Sequence, residues 1–203
     1  MSISTTSHSG TKEKIRRNAI ELFKMHGYNN VTVMQICEAS GVTKRTFYYH
    51  FSSKEEIVDG IVGHVGKKAE LMAEAMLRQE SNVGILWAMM RSYAVEAEEN
   101  GPAITSQFYI NVLQRGGDGA FPQDMLLYKA VVQSVSNAQR AGEIANKQPA
   151  EDVAYALYHA LRSATYTWCS SGGRSSLIAE YMHVFQVVLE LRISLEKAFG
   201  TDA

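Results

Sequence analysis

Cysteine and proline are scarce in this sequence, which has 203 residues but only 2 cysteines and 3 prolines. Cys37 and Cys169 are far apart, so neither a disulfide framework nor a cysteine-rich metal site is expected, and a reducing compartment is the default. No run of apolar residues approaches the roughly 18 that a membrane-spanning helix needs, and no signal peptide is recognisable. We therefore expect a soluble, cytoplasmic protein with no membrane partner.

Neither sign of charge dominates the chain, whose formal net charge is -1. The distribution is nevertheless uneven, because residues 1–56 hold 8 positive and 5 negative charges, whereas the remaining residues hold 12 positive and 16 negative charges. A basic N-terminal part followed by an acidic body indicates that the first part binds an anionic polymer.

Helical spacing of apolar residues extends along almost the whole chain, and no hairpin pattern competes with it. The sequence therefore predicts an all-α fold of about nine helices. The first helix is opened by Thr11 and ended by Gly27. The other helices are predicted at about residues 34–40, 44–51, 54–80, 83–100, 102–115, 123–141, 149–172 and 175–199, with a glycine-rich loop at 116–122.

The two short helices at 34–40 and 44–51 are separated only by a Gly-Val-Thr turn, which is typical of a helix-turn-helix. Gly41 can take a positive φ at the corner, Val42 is an apolar plug, and Thr43 can cap the second helix. The candidate core of this part consists of apolar stripes at Ile15, Ala19, Leu22, Phe23, His26, Ile36, Ala39, Val42 and Phe47.

The second of these helices carries cationic, hydroxyl and aromatic groups of the types that bind phosphate oxygens and base edges. They are Lys44, Arg45, Thr46, Tyr48, Tyr49 and His50. Tyr48 and Tyr49 lie about 100° apart on a helix, which leaves open whether one of them packs inward. His50 is equally compatible with the edge of the core. At Lys54, the free N–H groups of the next helix and the ammonium can bind a backbone phosphate.

This segment resembles the N-terminal DNA-binding domain of TetR-type transcriptional regulators over about residues 11–58. The residues that carry the resemblance are Phe23, Gly27-Tyr28, Thr32, Ile36, Ala39-Ser40-Gly41-Val42-Thr43, Thr46-Phe47-Tyr48-Tyr49-His50-Phe51 and Lys54-Glu55-Glu56-Ile57. The rest of the chain is similar to that family's ligand-binding and dimerisation domain only in size and helical pattern.

The resemblance implies a homodimeric regulator, usually a repressor, that leaves an inverted-repeat operator in double-stranded DNA when a small-molecule effector binds its C-terminal domain. It implies DNA contacts at Thr43, Lys44, Thr46, Tyr48, Tyr49, His50 and Lys54, with Thr32 capping the second helix near a phosphate. Arg45 stands where the family often has glycine and adds either a guanine contact or a phosphate contact. Cys37 stands where alanine is frequent, as a small buried residue.

Three regions follow from this interpretation: a disordered tail at residues 1–10, a helix-turn-helix domain at 11–56, and a helical ligand-binding and dimerisation domain at 57–203. Two sets of residues are candidates for ligand contact, because helical bundles hold pockets between their helices. The first is the aromatic-rich set Trp87, Met90, Tyr93, Phe108, Tyr109, Val112 and Tyr128, a pattern that is also typical of a core.

The second candidate set is a polar stripe on the eighth helix, opposite an apolar face of Ala154, Leu157, Leu161 and Trp168. The stripe consists of Tyr155, His159, Arg162 and Tyr166, with Cys169 at its end. Its hydroxyl, imidazole and guanidinium groups can orient a polar or anionic ligand. The alternative is that the stripe lies at a dimer interface or in solvent.

The last helix is apolar on more than one face, which predicts a second buried surface. The residues assigned to a dimer interface are Tyr181, Phe185, Val188 and Leu189, and a central buried helix is the alternative. Two copies are needed to read two half-sites about 34 Å apart.

Other functional classes fit less well. The sequence has no paired-histidine metal helix, phosphate-binding glycine loop or nucleophile elbow, so we expect no catalysis, no metal and no cofactor. A helical protein that binds RNA or a membrane is disfavoured, because the cations lie on a compact helix-turn-helix and not along a long amphipathic stripe.

Overall fold

The computed structural model of the protein describes residues 5–62, 65–78, 80–115 and 126–193. Within these ranges the chain forms ten α-helices, one 3₁₀ helix at Tyr28–Asn30 and no β-strand, which confirms the predicted all-α class and comes close to the predicted helix count. The helices are α1 Thr5–His26, α2 Val33–Ser40, α3 Lys44–His50, α4 Lys54–Val62, α5 Val65–Leu77, α6 Asn82–Asn100, α7 Pro102–Arg115, α8 Leu126–Ala141, α9 Ala150–Ser170 and α10 Leu177–Leu189.

The chain is divided into two compact units. The first comprises Met1–Gly63 and Asn100–Arg115, and the second comprises His64–Glu99 and Gly116–Ala203. The first unit thus includes α7, which the sequence groups with the C-terminal body. The reason is tertiary packing, since Ile104 is buried and Phe108 half-buried against the core of α1 to α4.

The core of the first unit contains most of the predicted residues. Ile15, Ala19, Phe23, Ile36 and Phe47 are all buried. His26 and Ala39 are exposed instead, which corrects their assignment to the core. Their neighbours occupy these places, because Gly27 ends α1 with a φ of 80° so that Tyr28 turns inward, and Ser40 is buried beside Ala39.

The second unit is built from α5, α6, α8, α9 and α10 around one apolar core. In this core, the rings of Trp87 and Phe185 meet edge to face with centroids 5.1 Å apart. Carboxylates from distant parts of the chain cap two of its helix starts. Glu143 accepts the N–H groups of Asn82 and Val83 at the start of α6, and Glu98 accepts those at the start of α10. Each satisfies backbone donors that have no partner within their own helix.

Two helix boundaries differ from the predicted ones. α1 begins at Thr5, before the predicted start at Thr11, so residues 5–10 of the predicted disordered tail are helical. The helix includes Gly10, which costs no more than about 1 kcal/mol. α10 ends at Leu189, well before residue 199, because Glu190 takes a left-handed φ of 52° and Leu191 forms an isolated bridge with Ile144.

Some predicted features lie outside the described residues. They are residues 1–4 of the predicted tail, the glycine-rich loop at 116–122 and the end of the last predicted helix from residue 194 onwards. The predicted long helix at 54–80 corresponds to α4 and α5, with residues 63 and 64 also outside the described ranges.

Candidate nucleic-acid interface

A capping box formed by Thr32 and Gln35 starts α2, in agreement with the Thr32 cap that the resemblance implies. The Gln35 amide nitrogen donates to the Thr32 hydroxyl oxygen at 3.3 Å, and the Gln35 side-chain oxygen accepts from the Thr32 backbone N–H at 2.8 Å. Two of the N–H groups at the helix start are thereby satisfied. This fixes where α2 begins and leaves the Thr32 side chain on the exposed surface.

The turn between α2 and α3 has the conformation that its sequence predicts. Gly41 has a left-handed φ of 62°, and its N–H and that of Val42 donate to carbonyls in the last turn of α2. Thr43 caps α3, since its hydroxyl oxygen accepts from the Thr46 N–H at 3.1 Å. The Lys14 ammonium from α1 lies near Gly41 and adds a positive charge at the turn.

Asn18 on α1 holds the corner in place, a role that the sequence did not indicate. Its side-chain amide donates to the Ala39 carbonyl at 3.1 Å and to the Ser40 hydroxyl at 3.3 Å. These bonds join residues that are 21 and 22 positions apart in the chain, so no local pattern could have revealed them.

The side chains of α3 are divided between one buried face and one broad exposed face. Phe47 is fully buried, whereas Lys44 and Arg45 are exposed. Tyr48 and Tyr49 are 55% and 72% exposed, so neither of them packs inward. Both tyrosines therefore lie on the exposed face, and the alternative in which one of them packs against the core does not hold.

Thr46 and His50 are half-buried at the edges of this exposed face. The His50 ring meets the Tyr49 ring edge to face, with centroids 5.0 Å apart. His50 therefore lies at the edge of the core, which is one of the two positions that the sequence allows.

Lys54 is placed differently from the expectation. Its ammonium donates to the carbonyls of Tyr28 and Val31 at 2.9 and 3.1 Å and lies 4.2 Å from the centroid of the Tyr28 ring. The charge is thus held by the turn before α2 and is not directed outward, because two backbone acceptors and an aromatic face are within reach. Of the groups expected to bind a phosphate here, only the backbone N–H groups at the start of α4 are not joined by the Lys54 ammonium.

A second contact reinforces this junction between the 3₁₀ turn and α4. The Tyr28 hydroxyl donates to the Glu55 carboxylate at 2.8 Å. Burial raises the pKa of Tyr28, and the hydrogen bond to Glu55 raises it further, so the phenol stays protonated as the donor. Glu56 accepts from the backbone N–H of Ser52 at 2.7 Å, which lowers the pKa of its carboxyl group.

α4 is also bound to α7 within the first unit. The Arg115 guanidinium contacts both Asp59 carboxylate oxygens, at 2.7 and 2.8 Å, and the Asn111 amide donates to Asp59 at 3.2 Å. Phe108, Tyr109 and Val112, which were candidates for ligand contact, lie on this helix and are half-buried in the first unit.

The other aromatic candidates for ligand contact lie together in the second unit. Trp87, Met90 and Tyr128 are buried in its core, and Tyr93 is half-buried against it. The Tyr128 hydroxyl donates to the Glu151 carbonyl at 3.4 Å. The structure therefore brings four of the seven candidates into one cluster.

The polar stripe on α9 lies on the surface of the second unit. Tyr155 and His159 are exposed with ring centroids 4.2 Å apart, Tyr166 is 70% exposed, and Arg162 is half-buried with its guanidinium 6.0 Å from the Tyr158 ring centroid. The opposite face is buried as predicted. This placement favours the alternative reading of the stripe, a dimer interface or solvent.

The residues assigned to the dimer interface require a correction. Tyr181, Phe185 and Leu189 are buried in the core of their own unit, so they are not accessible to a partner. Val188 is half-buried, and Val187 is 61% exposed. The sequence could not distinguish these faces, because α10 is apolar on several of them.

Neither a membrane-spanning helix nor a metal-binding cluster is found among the described residues. None of the helices in the described ranges is long and apolar enough to cross a membrane. No group of three or more histidine, cysteine, aspartate or glutamate side chains among these residues could hold a metal ion.

Comparison with known proteins identifies the first part of the chain. Residues 15–61 match the family of bacterial regulatory proteins, tetR family. The helix-turn-helix domain of this chain is similar to that of the TetR family. The domain is 51% identical over 47 residues to the HTH-type transcriptional regulator TcmR of Streptomyces glaucescens, a match that covers 23% of this chain and 21% of TcmR.

A longer match extends beyond the TetR-family domain. The chain is 31% identical over 106 residues to the HTH-type transcriptional repressor KstR2 of Rhodococcus jostii, covering 49% of this chain and 50% of KstR2. The chain thus spans about half or less of the length of these curated relatives.

Solved structures show that the likeness in fold extends over nearly the whole chain. FadR of Thermus thermophilus, a TetR-family transcriptional repressor in complex with lauroyl-CoA, has a TM-score of 0.62 at 19% identity over 90% of this chain and 95% of that chain. CprB of S. coelicolor, a TetR-family protein, has a TM-score of 0.62 at 17% identity over 96% and 95%. The SmeT–triclosan complex has a TM-score of 0.58 at 19% identity over 89% and 90%. Over about nine-tenths of its length the chain therefore shares the fold of these solved structures.

Proposed function

We propose that this chain is a transcriptional regulator, acting as a repressor, that binds an inverted-repeat operator in duplex DNA and releases it when a small molecule binds the second unit. The observation that carries the proposal is the exposed face of α3, which presents cationic, hydroxyl and aromatic side chains from a rigid, capped helix-turn-helix. The TetR-family match over residues 15–61 supports the same function.

The DNA-binding domain is proposed to comprise residues 11–56, with α3 in the major groove. The predicted contacts are Thr32, Thr43, Lys44, Arg45, Thr46, Tyr48, Tyr49 and His50, with the backbone N–H groups at Lys54 positioned on a phosphate. Lys54 itself acts as a positioning residue, because its ammonium ties α4 to the turn before α2.

A homodimer is required for this function, because two half-sites lie about one DNA turn apart. We assign its interface to the outer faces of α9 and α10, where Tyr155, Tyr166 and Val187 leave large hydrophobic groups exposed. Large exposed apolar groups on adjacent helices are typical of protein interfaces.

The effector is proposed to be a largely apolar small molecule that binds among the helices of the second unit, near Trp87, Met90 and Tyr128. The apolar and aromatic character of this cluster supports that ligand class. FadR and SmeT, which share the fold, have been solved with lauroyl-CoA and triclosan.

Release of DNA is proposed to act through α4. This helix is fastened to the DNA-binding helices by Tyr28 and Glu55 and to α7 by Asp59 and Arg115, so a displacement of α7 is passed to α3. A differential effector affinity of about 3 kcal/mol between two states would change operator binding by roughly 150-fold.

The chain is proposed to act in the cytoplasm and to have no catalytic activity. The relatives of its N-terminal domain are transcriptional regulators.

The proposal is tested by selecting bound sequences from a random duplex pool with purified protein at near-physiological salt. The expected result is enrichment of an inverted repeat whose half-sites are about 10 base pairs apart, with affinity that falls steeply as salt rises. Recovery of sequence-independent duplexes from both the purified protein and protein refolded after removal of bound ligand would contradict the proposal.

A further inference from the structure

The directions of the α3 side chains follow from the one that is fully buried. Each residue of a helix turns by about 100°, so Arg45 and Tyr49 lie about 160° from the buried Phe47, on either side of the outermost line of the helix. Lys44 and Tyr48 lie only about 60° and 100° from Phe47, on one flank.

The exposed fractions of these side chains agree with these angles. Tyr49 on the outermost line is 72% exposed, Tyr48 on the flank is 55% exposed, and Phe47 is fully buried. Arg45 is exposed, and no hydrogen bond or ion pair to any described residue holds its guanidinium. α3 itself contains no acidic residue that could pair with it. The donors of Arg45 are therefore not engaged by any described residue.

We infer that Arg45 reads a guanine in each operator half-site by donating two hydrogen bonds to its O6 and N7 atoms, whereas Lys44 binds a phosphate at the edge of the groove. The inference rests on the proposed function and adds the base that is recognised. The outermost line of a helix in the major groove faces the base edges, and the flanks face the sugar-phosphate walls.

The chemistry of the two cations agrees with this division. A guanidinium is a planar fork that matches the paired acceptors of guanine, and the arginine–guanine pair is the commonest specific contact in the major groove. A lysine ammonium is a compact charge without directional preference, which suits a phosphate. Tyr49 lies one helical turn from Arg45 on the same exposed face of α3.

The experiment uses the operator selected from the random pool, with each half-site guanine replaced in turn by 7-deazaguanine, which lacks the N7 acceptor. The unsubstituted protein should lose about 10-fold in affinity at one symmetric pair of positions, because one bond of a bidentate contact is removed. Arg45→Ala should bind the natural and the 7-deaza operators equally. Arg45→Lys should also lose the preference for guanine at that pair, although it keeps the charge.

Lys44→Ala is the matched control, since both side chains are exposed and neither substitution disturbs the core. It should weaken binding to all sequences alike, reduce the salt dependence and leave the 7-deazaguanine effect intact. The inference is overturned if Arg45→Ala weakens all sequences uniformly while every 7-deaza operator still loses the same affinity as with the unsubstituted protein. A selection without an inverted repeat would instead overturn the proposed function, and with it this inference.

Discussion

Gly41 determines the geometry of the helix-turn-helix at the scale of a single residue. Its φ of 62° lies in the left-handed region, and a Cβ at this position would meet no backbone atom, with the Lys14 ammonium 3.9 Å away. The requirement for glycine is therefore conformational and not steric. Residues with a side chain pay roughly 1–2 kcal/mol for this conformation.

Gly41→Ala should accordingly lower the free energy of unfolding by about 1–2 kcal/mol, measured by urea denaturation. Gly10→Ala is the matched control, because Gly10 lies within α1 with open space around it. Alanine there should leave stability unchanged or raise it by up to about 1 kcal/mol. Equal effects of the two substitutions would show that the φ of Gly41 carries no strain penalty.

Single residues also show which parts of the site the sequence could predict. Thr32, Gly41 and Thr43 were predictable, because caps and turns depend on neighbours within four positions. Asn18 and the inward ammonium of Lys54 were not, since their partners lie more than 20 positions away in the chain. Polar side chains with long-range backbone partners leave no periodic signal.

At the scale of the helix, a carboxylate from α6 determines how α10 begins. The Glu98 carboxylate accepts the N–H groups of Leu177 and Ile178 at 2.6 and 3.3 Å and is 3.2 Å from the Ser176 hydroxyl. A negative charge at a helix N-terminus also complements the helix dipole. The Ser176 hydroxyl oxygen also caps α10, by accepting from the Ala179 N–H at 3.3 Å, and no local sequence pattern indicates the second cap from Glu98.

Glu98→Ala should therefore destabilise the protein by about 1–2 kcal/mol, because it leaves helix donors without a partner and removes the favourable charge. Thermal denaturation of this variant is to be compared with that of Glu99→Ala, whose side chain is exposed one position further on. The control should change stability by less than about 0.5 kcal/mol. If the two variants melt alike, the capping by Glu98 contributes nothing.

The helices also show where sequence patterns are insufficient. α10 is apolar on several faces, so its periodicity could not tell that Tyr181, Phe185 and Leu189 face inward and Val187 outward. α7 has an ordinary amphipathic pattern that fits either unit. The packing of Ile104 and the ion pair between Arg115 and Asp59 assign it to the first. In both cases the surface against which the helix packs determines which face is buried. That surface is formed by residues far away in the sequence, so the local pattern does not reveal it.

At the scale of the whole molecule, the uneven charge distribution agrees with the proposal that the first unit binds DNA and the second binds the effector. The surplus of positive charge falls in residues 1–56, which contain the helix-turn-helix, and the deficit falls in the remainder. The net charge of -1 conceals this difference. An acidic body reduces nonspecific attraction to DNA, so the proposed operator binding depends on the contacts of α3.

The proposed homodimer also involves the whole molecule, because its interface lies in the second unit and its DNA contacts lie in the first. Its proposed surface combines Tyr155 and Tyr166 of α9 with Val187 of α10, which are the exposed large hydrophobic residues among the described residues of these two helices. A two-fold arrangement of the chain then matches the two-fold symmetry of an inverted repeat.

The central claim is that α3 and the residues around it are the surface that meets DNA. The most direct test is hydrogen–deuterium exchange of the full chain with and without the selected duplex, followed peptide by peptide. The account predicts that exchange slows in peptides covering residues 32–54, where backbone and side chains approach the phosphates. Unchanged exchange across 32–54, with slowing confined to residues 126–189, would contradict it.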